Sequence, residues 1–253
     1  MIMIMIMILI IIILLYLFFY INKILSDTEI NIFLKADSDN YIKNMTKYDL
    51  YARKSKNFND YIDIINKNNN IRVLNIYNKY CLLLAVIRAD IFFYFLKNNF
   101  LPDNHKIYNI LWKFAFNKDT KYEDGHPHTR EDIIFININI IKNIKNTSDF
   151  YDFVKLLIHE KIHIYQRYNK NKLNNILRNN GYLKKHLKSA FKLVRSNPDV
   201  DEWIYQDPNS ILMMNEYTSK FPKNINDIVI NGQYEHPYEM ISYIIEEQYV
   251  KKY

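Results

Sequence analysis

Between Phe153 and Tyr165 the chain places Phe153, Val154, Leu157, Ile158, Ile162, Ile164 and Tyr165 at the 3–4 residue spacing of one helical face. Within that stretch, LLIHEKIHIYQRY, two histidines stand four residues apart, and Glu160 directly follows the first. Residues i and i+4 lie above one another on a helix. His159 and His163 must therefore share a face, and that face must meet a second element. Ser148 is the expected N-cap, with Asp149 and Asp152 placing negative charge in the first turn.

Two imidazoles one turn apart can hold a single Zn²⁺ without distorting the backbone, which is the H-E-x-x-H arrangement. Glu160 projects about 100° round the helix from His159, beside such a metal rather than onto it, where it can act as general base toward zinc-bound water. A hydrolytic zinc site needs a third protein ligand. Gln166 and Asn169 stand where an H-E-x-x-H-x-x-G-x-x-H pattern would need Gly and His, so the third ligand lies elsewhere. The best candidate is Glu239 in EHPYEMISY. It falls in the first turn of a helix expected to start near Pro237, three residues before the small Ser242. His236 is the alternative ligand, with Glu235 a further neighbour.

The loop KYEDGHPHTR carries Gly125 and Pro127 and leads into DIIFININII, a β-branched strand expected over 132–141. A strand placed before such a helix can lie along a cleft as an edge and pair with extended substrate. His128 or Arg130 could then reach the substrate or the zinc-bound oxygen. Tyr238 and Tyr234 are the tyrosines best placed to act as electrophiles. Elsewhere, helices are expected over NFNDYIDIINK, over 77–99 and over 107–116. The stretch 181–197 reads as an apolar stripe under a solvated basic face, and NPDVDEWIYQDPNS reads as loop. The fold class is α+β and helix-rich, with a small sheet.

HEKIHIYQR, YEDGHPHTR before a strand, NPD, and EHPYEM near the end together resemble a group of zinc metallopeptidases of giant DNA viruses and algae. The general pattern of that group resembles the zincins that take Glu as third ligand, and the resemblance runs from about Lys106 to Glu247. It implies a zincin-like metalloprotease domain, zinc on His159, His163 and Glu239, and Glu160 as base. It implies no particular substrate beyond a peptide or protein. Lys161 and Ser242 are compatible with activity.

Residues 1–22 are a separate case. The run MIMIMIMILIIIILLYLFFYI has no charge and no proline, and at 1.5 Å per residue it covers about 30 Å, the thickness of a bilayer core. It lacks a basic leader and an A-x-A-like cleavage site, so an uncleaved transmembrane helix is expected. Basic residues follow it rather than precede it, which puts the C-terminal part on the cytoplasmic side or inside a virion. The single cysteine, Cys81 in CLLLAVI, requires no oxidising compartment and reads as a buried hydrophobe. The expected division is 1–22 anchor, 23–70 tether and helical lead-in, and 71–253 catalytic domain. The net charge of +7 follows from a composition rich in Lys and Asn and poor in Gly, so no nucleic-acid partner is expected. A structural membrane protein with a degenerate zinc site, and a zinc hydrolase of a non-peptide amide, are the rival readings.

Overall fold

A computed structural model describes Ile6 and residues 23–68, 74–101, 103, 105–118 and 122–252. The expected anchor, apart from Ile6, lies outside the described residues. Among those described, no helix is long and apolar enough to cross a membrane. The chain opens with the short strand β1 (Lys23–Ile24) and helices α1 (Asp27–Ala36), α2 (Lys47–Ala52) and α3 (Phe58–Asn68). The long α4 (Ile76–Phe95) and the single turn α5 (His105–Tyr108) precede strands β2 (Lys113–Asn117), β3 (His128–Arg130) and β4 (Ile133–Asn137). Helices α6 (Ile138–Lys142), α7 (Thr147–Tyr168) and α8 (Lys170–Asn179) follow. Strands β5 (Leu183–Leu187), β6 (Trp203–Gln206), β7 (Leu212–Tyr217) and β8 (Ile228–Asn231) lead to the final helix α9 (Pro237–Lys252). The architecture is α+β and helix-rich, with two four-stranded sheets in the orders β1-β2-β4-β3 and β5-β6-β7-β8.

The first sheet organises the core. Strands β1, β2 and β4 run parallel, and β3 pairs antiparallel to β4 at the edge. Because side chains alternate across a strand, Phe114, Phe116, Ile134 and Ile136 face a cluster shared with α4, α7 and α9. Ala115, Ile133 and Phe135 face the other way, onto Ile30 and Leu34 of α1 and Tyr61 and Ile65 of α3. The residues expected as tether and helical lead-in pack as a layer covering the back of the sheet, with the expected helix over NFNDYIDIINK present as α3. Removing a side chain such as Phe135, fully buried between them, would cost about 3–5 kcal/mol.

Local chemistry explains where the elements depart from expectation. Asn146, not Ser148, caps α7: its side chain accepts from Asp149 N at 3.0 Å while Asp149 bonds back to the Asn146 N–H. The expected helix over 107–116 is one turn and then a strand. Trp112, Phe114 and Phe116 stack along one face at 5.7 and 6.1 Å, an alternation only an extended chain provides. Strand β4 stops at Asn137, whose side chain accepts from Asn139 N at 2.9 Å and starts α6. The stretch 181–197 is not a helix. Gly181, at φ +86° with Pro208 3.2 Å from where a Cβ would sit, turns the chain into β5. Lys184 then reaches across the pair to Asp201 at 3.0 Å. The segment expected as loop contributes β6. Cys81 is buried, as expected.

One buried network ties the N-terminal layer to the rest. Arg53 is ion-paired with Glu123 at 2.5 Å and donates to Tyr41 Oη at 2.8 Å, while Tyr61 Oη donates to Glu123 at 3.0 Å. One helical turn before Arg53, Asp49 accepts from the Ser196 N–H at 2.8 Å and from the Ser196 hydroxyl at 2.9 Å. Burial opposes the charge on Glu123, but the adjacent guanidinium outweighs it and holds the carboxyl at about 2 against an ordinary 4.5. A depressed carboxyl stabilises the fold fully above about pH 4.5, and that contribution fades as the pH falls toward 2. Glu123→Gln is therefore expected to lower the unfolding free energy at pH 7 by on the order of 3 kcal/mol. In urea titrations the gap from wild type should close between pH 4.5 and 2; a gap constant over that window would contradict the assignment.

Candidate metal centre

Helices α7 and α9 pack against one another, with the fully buried Ser242 of α9 allowing close approach. They bring His159, His163 and Glu239 together, with one ligand-type atom from each lying within 4.8 Å of the others. Glu239 Oε2 is 3.3 Å from His159 Nε2 and 3.7 Å from His163 Nε2. Lys161, inside the same motif, points the opposite way. It pairs with Asp90 at 2.8 Å and lies 3.9 Å over the Trp112 ring, pinning α7 to α4. Burial pulls its pKa down to about 8, against the opposing pull of Asp90.

The hydrogen bonds behind the two imidazoles decide which nitrogen faces the cluster. The carbonyl of Tyr238 can only accept, so Gln166 must offer it Nε2, at 3.0 Å. Gln166 Oε1 is then an acceptor, and His163 Nδ1 must donate to it, at 2.9 Å. His159 Nδ1 likewise donates to Glu246 Oε2 at 3.1 Å. In the neutral rings both protons sit on Nδ1, and both Nε2 lone pairs face the Glu239 carboxylate. Asn197 holds that carboxylate from behind, donating to Glu239 Oε1 at 2.9 Å and also to Glu235. Burial opposes the charge on Glu239, but the two histidines outweigh it and keep its pKa well below the usual range. His159 is raised: burial works against its protonation, and the carboxylates of Glu239 and Glu246 prevail.

Three electron-pair donors that converge without a hydrogen between them repel unless a cation joins them. A proton can join one nitrogen to one oxygen. The Nε2 of His163 is fully buried and has no hydrogen-bond partner. A divalent metal would satisfy all three at once, and two imidazoles with one carboxylate form a donor set suited to zinc. Glu160 stands beside the cluster with its Oε2 also buried and unpartnered. Burial, reinforced by the negative charges of Asp199 and Glu239, pushes its pKa well above the usual carboxylate value.

His159, Glu160 and Glu239 line one wall of a cleft of about 580 Å³, with His163 buried behind them. His128, Tyr234, Glu235 and Tyr243 also line it. His128 donates Nδ1–H to the His126 carbonyl at 3.0 Å, which leaves its buried Nε2 as an acceptor with no partner. Burial depresses its pKa in spite of nearby Glu123 and Asp199, so it is neutral. Tyr243 sits edge-on to His159, with ring centroids 4.8 Å apart, and stacks on Tyr234.

Other expected residues lie elsewhere. His236 accepts from the Tyr238 N–H on Nδ1 at 3.1 Å and donates from Nε2 to Asp201 at 3.1 Å, so it caps α9 and has no free lone pair for a metal. Tyr238 is buried outside the cleft, its hydroxyl bonded to Asn174 at 3.2 Å; the tyrosines that line the cleft are Tyr234, also expected, and Tyr243, one turn beyond Glu239. Arg130 points away to Asp37 at 2.6 Å and Tyr122 at 3.1 Å, bracing the lead-in layer. The strand before α7 is not an edge, because β3 covers it. On β3 itself, the Thr129 N–H donates to Asp199 at 2.6 Å and its carbonyl accepts from Arg167 at 2.9 Å. The NPD loop thus already occupies the position where an extended substrate would pair.

Sequence reasoning missed Gln166, Asn197, Tyr243 and Glu246. Gln166 stands three residues after His163, and Tyr243 and Glu246 stand four and seven after Glu239, so helical spacing alone could have raised these three. Asn197 carries no such signal. No protein-family model, curated protein or solved structure matches this chain.

If Glu246 orients His159 toward a metal, Glu246→Ala should weaken zinc affinity about 10–100-fold without loss of fold. Competition with a chromophoric chelator measures this. Affinity equal to wild type would remove Glu246 from the site.

Proposed function

We propose that this chain is a zinc-dependent peptidase with a zincin-like domain, held at a membrane by residues 1–22. The observation that carries the reading is the convergence of His159, His163 and Glu239, two of which, His159 and Glu239, line an open cleft together with Glu160. The order of parts supports it too: a sheet with an antiparallel edge strand, then the histidine helix, then a later helix supplying a carboxylate. The anchor rests on the sequence of residues 1–22.

His159, His163 and Glu239 would hold the metal. Zinc bound there would supply Lewis acidity, polarising a scissile carbonyl and acidifying a water. Glu160, buried at the cleft wall, takes a proton from the attacking water and passes it to the departing amine. Glu246, Gln166 and Asn197 fix the orientations of the three ligands, so that little reorganisation accompanies the reaction. His128 accepts a hydrogen bond from a substrate N–H, and Tyr243 offers a phenol at the cleft rim.

The cleft also suggests what enters it. In a chain of net charge +7, its lining carries seven Asp and Glu side chains against three of Lys and Arg. Its unpartnered buried atoms include the acceptors His128 Nε2 and Asn215 Oδ1. Such a wall favours donor-rich, cationic segments.

Metal analysis of the full-length protein in detergent should find about one zinc per chain, lost in His159→Ala and His163→Ala. Glu160→Gln should keep the zinc and lose at least about 100-fold in turnover. Wild type should cleave peptides carrying Lys or Arg faster than their Glu counterparts, with a preference that shrinks as salt rises. Full activity in Glu160→Gln would defeat the mechanism, and zinc binding without any peptide cleavage would favour a structural site.

A further inference from the structure

Helix α4 has an outer face unlike that of any ordinary surface helix. Every exposed residue between Ile76 and Phe95 is large and apolar; the charged residues Lys79, Arg88 and Asp90 lie at its half-buried margins. A single-layer surface helix normally turns polar side chains outward, and an apolar patch this long marks an interaction surface. Six of the residues, Tyr77, Tyr80, Leu84, Ile87, Ile91 and Tyr94, follow one another at intervals of three, four, three, four and three. Their exposures run from 37% at Leu84 to 64% at Tyr94. That is the 3.5-residue period of a seam between two helices. The opposite face of the helix, with Leu82, Ala85, Ala89 and Phe93 fully buried, is already spent on the core.

We propose that this seam is the interface of a homodimer in which α4 packs antiparallel against α4 of a second copy. Two observations select a second copy as the occupant. First, the interval pattern reads the same in both directions, as a two-fold axis requires. Reversing the helix sets Leu84 against the other copy's Ile87, Tyr80 against its Ile91 and Tyr77 against its Tyr94. Aliphatic side chains meet at the centre and tyrosines close both ends. Second, the area is sufficient. With on the order of 200 Å² for each residue of this size, the six exposures leave roughly 600 Å² per copy. A pair would bury about 1,200 Å², the lower bound of a specific stable interface. A groove formed by residues 94–99 and 101, about 600 Å³, lies at the C-terminal end of the seam, where the other copy's Ile76 and Tyr77 would fall. The seam holds no charge that the contact would bury.

The test uses the full-length chain in a non-ionic detergent. Light scattering coupled to size exclusion should give the mass of two chains for wild type and of one chain for Ile87→Lys, with the melting temperature of the variant unchanged at low protein concentration. The register is tested in a Cys81→Ala background. Tyr77→Cys combined with Tyr94→Cys should give an oxidised, disulfide-linked dimer. Either substitution alone should not, because equal positions lie about 26 Å apart across an antiparallel pair. A monomeric wild type would overturn the proposal. So would cross-linking of the seam to residues 1–22 of the same chain, a monomer whose binding to neutral lipid vesicles is lost in Ile87→Lys, or a dimer unaffected by Ile87→Lys.

Discussion

Two imidazole Nε2 atoms and a carboxylate held face to face, with one nitrogen left without a partner, are the constraint around which this part of the fold is arranged. Each ring is held from behind, His163 by Gln166 and His159 by Glu246, so that Nδ1 carries a hydrogen and Nε2 is turned toward Glu239. Gln166 is itself held by the Tyr238 carbonyl, one residue before Glu239. The orientation of His163 on α7 is therefore set by the backbone that carries Glu239 on α9. A proton on His159 can join one nitrogen to the carboxylate, but the buried Nε2 of His163 is then left unpartnered, a cost that one divalent cation would remove. That cost is what makes the arrangement informative.

The outer structure serves the same point. The NPD loop connects three parts of the molecule: Asn197 holds Glu239, Asp199 closes the edge of β3, and Ser196 is gripped by Asp49 of α2. The N-terminal layer, through Asp49 and Arg53, thus sets the far wall of the cleft. The edge of β3 is closed at Thr129, while the buried His128 Nε2 and Asn215 Oδ1 beside the cleft have no hydrogen-bond partner.

What was legible in the sequence follows from locality. The relation of His159 to His163 depends only on helical pitch, and Glu239 was legible because Pro237 marks a helix start near the end of the chain. The long, apolar α4 was legible for the same reason. Strand β2 was misread because WKFAF is short, and its alternation is weaker than the helical reading of the residues before it. Strand β5 was misread because Leu183 and Leu187 fit a helical stripe, whereas both are exposed and the cross-strand contacts of Lys184 decide the conformation. The capping role of His236 and the turning of Arg130 toward Asp37 depend on residues far away in sequence, which no local pattern encodes.

X-ray absorption at the zinc edge of the loaded full-length protein tests the central claim most directly. Two nitrogen donors of imidazole type and one or two oxygen donors at about 2.0–2.2 Å, with no sulfur, are expected. One imidazole should be lost from the shell in His163→Ala, and one oxygen in Glu239→Ala. A shell containing sulfur, or one left unchanged by either substitution, would show that the metal sits somewhere other than between α7 and α9.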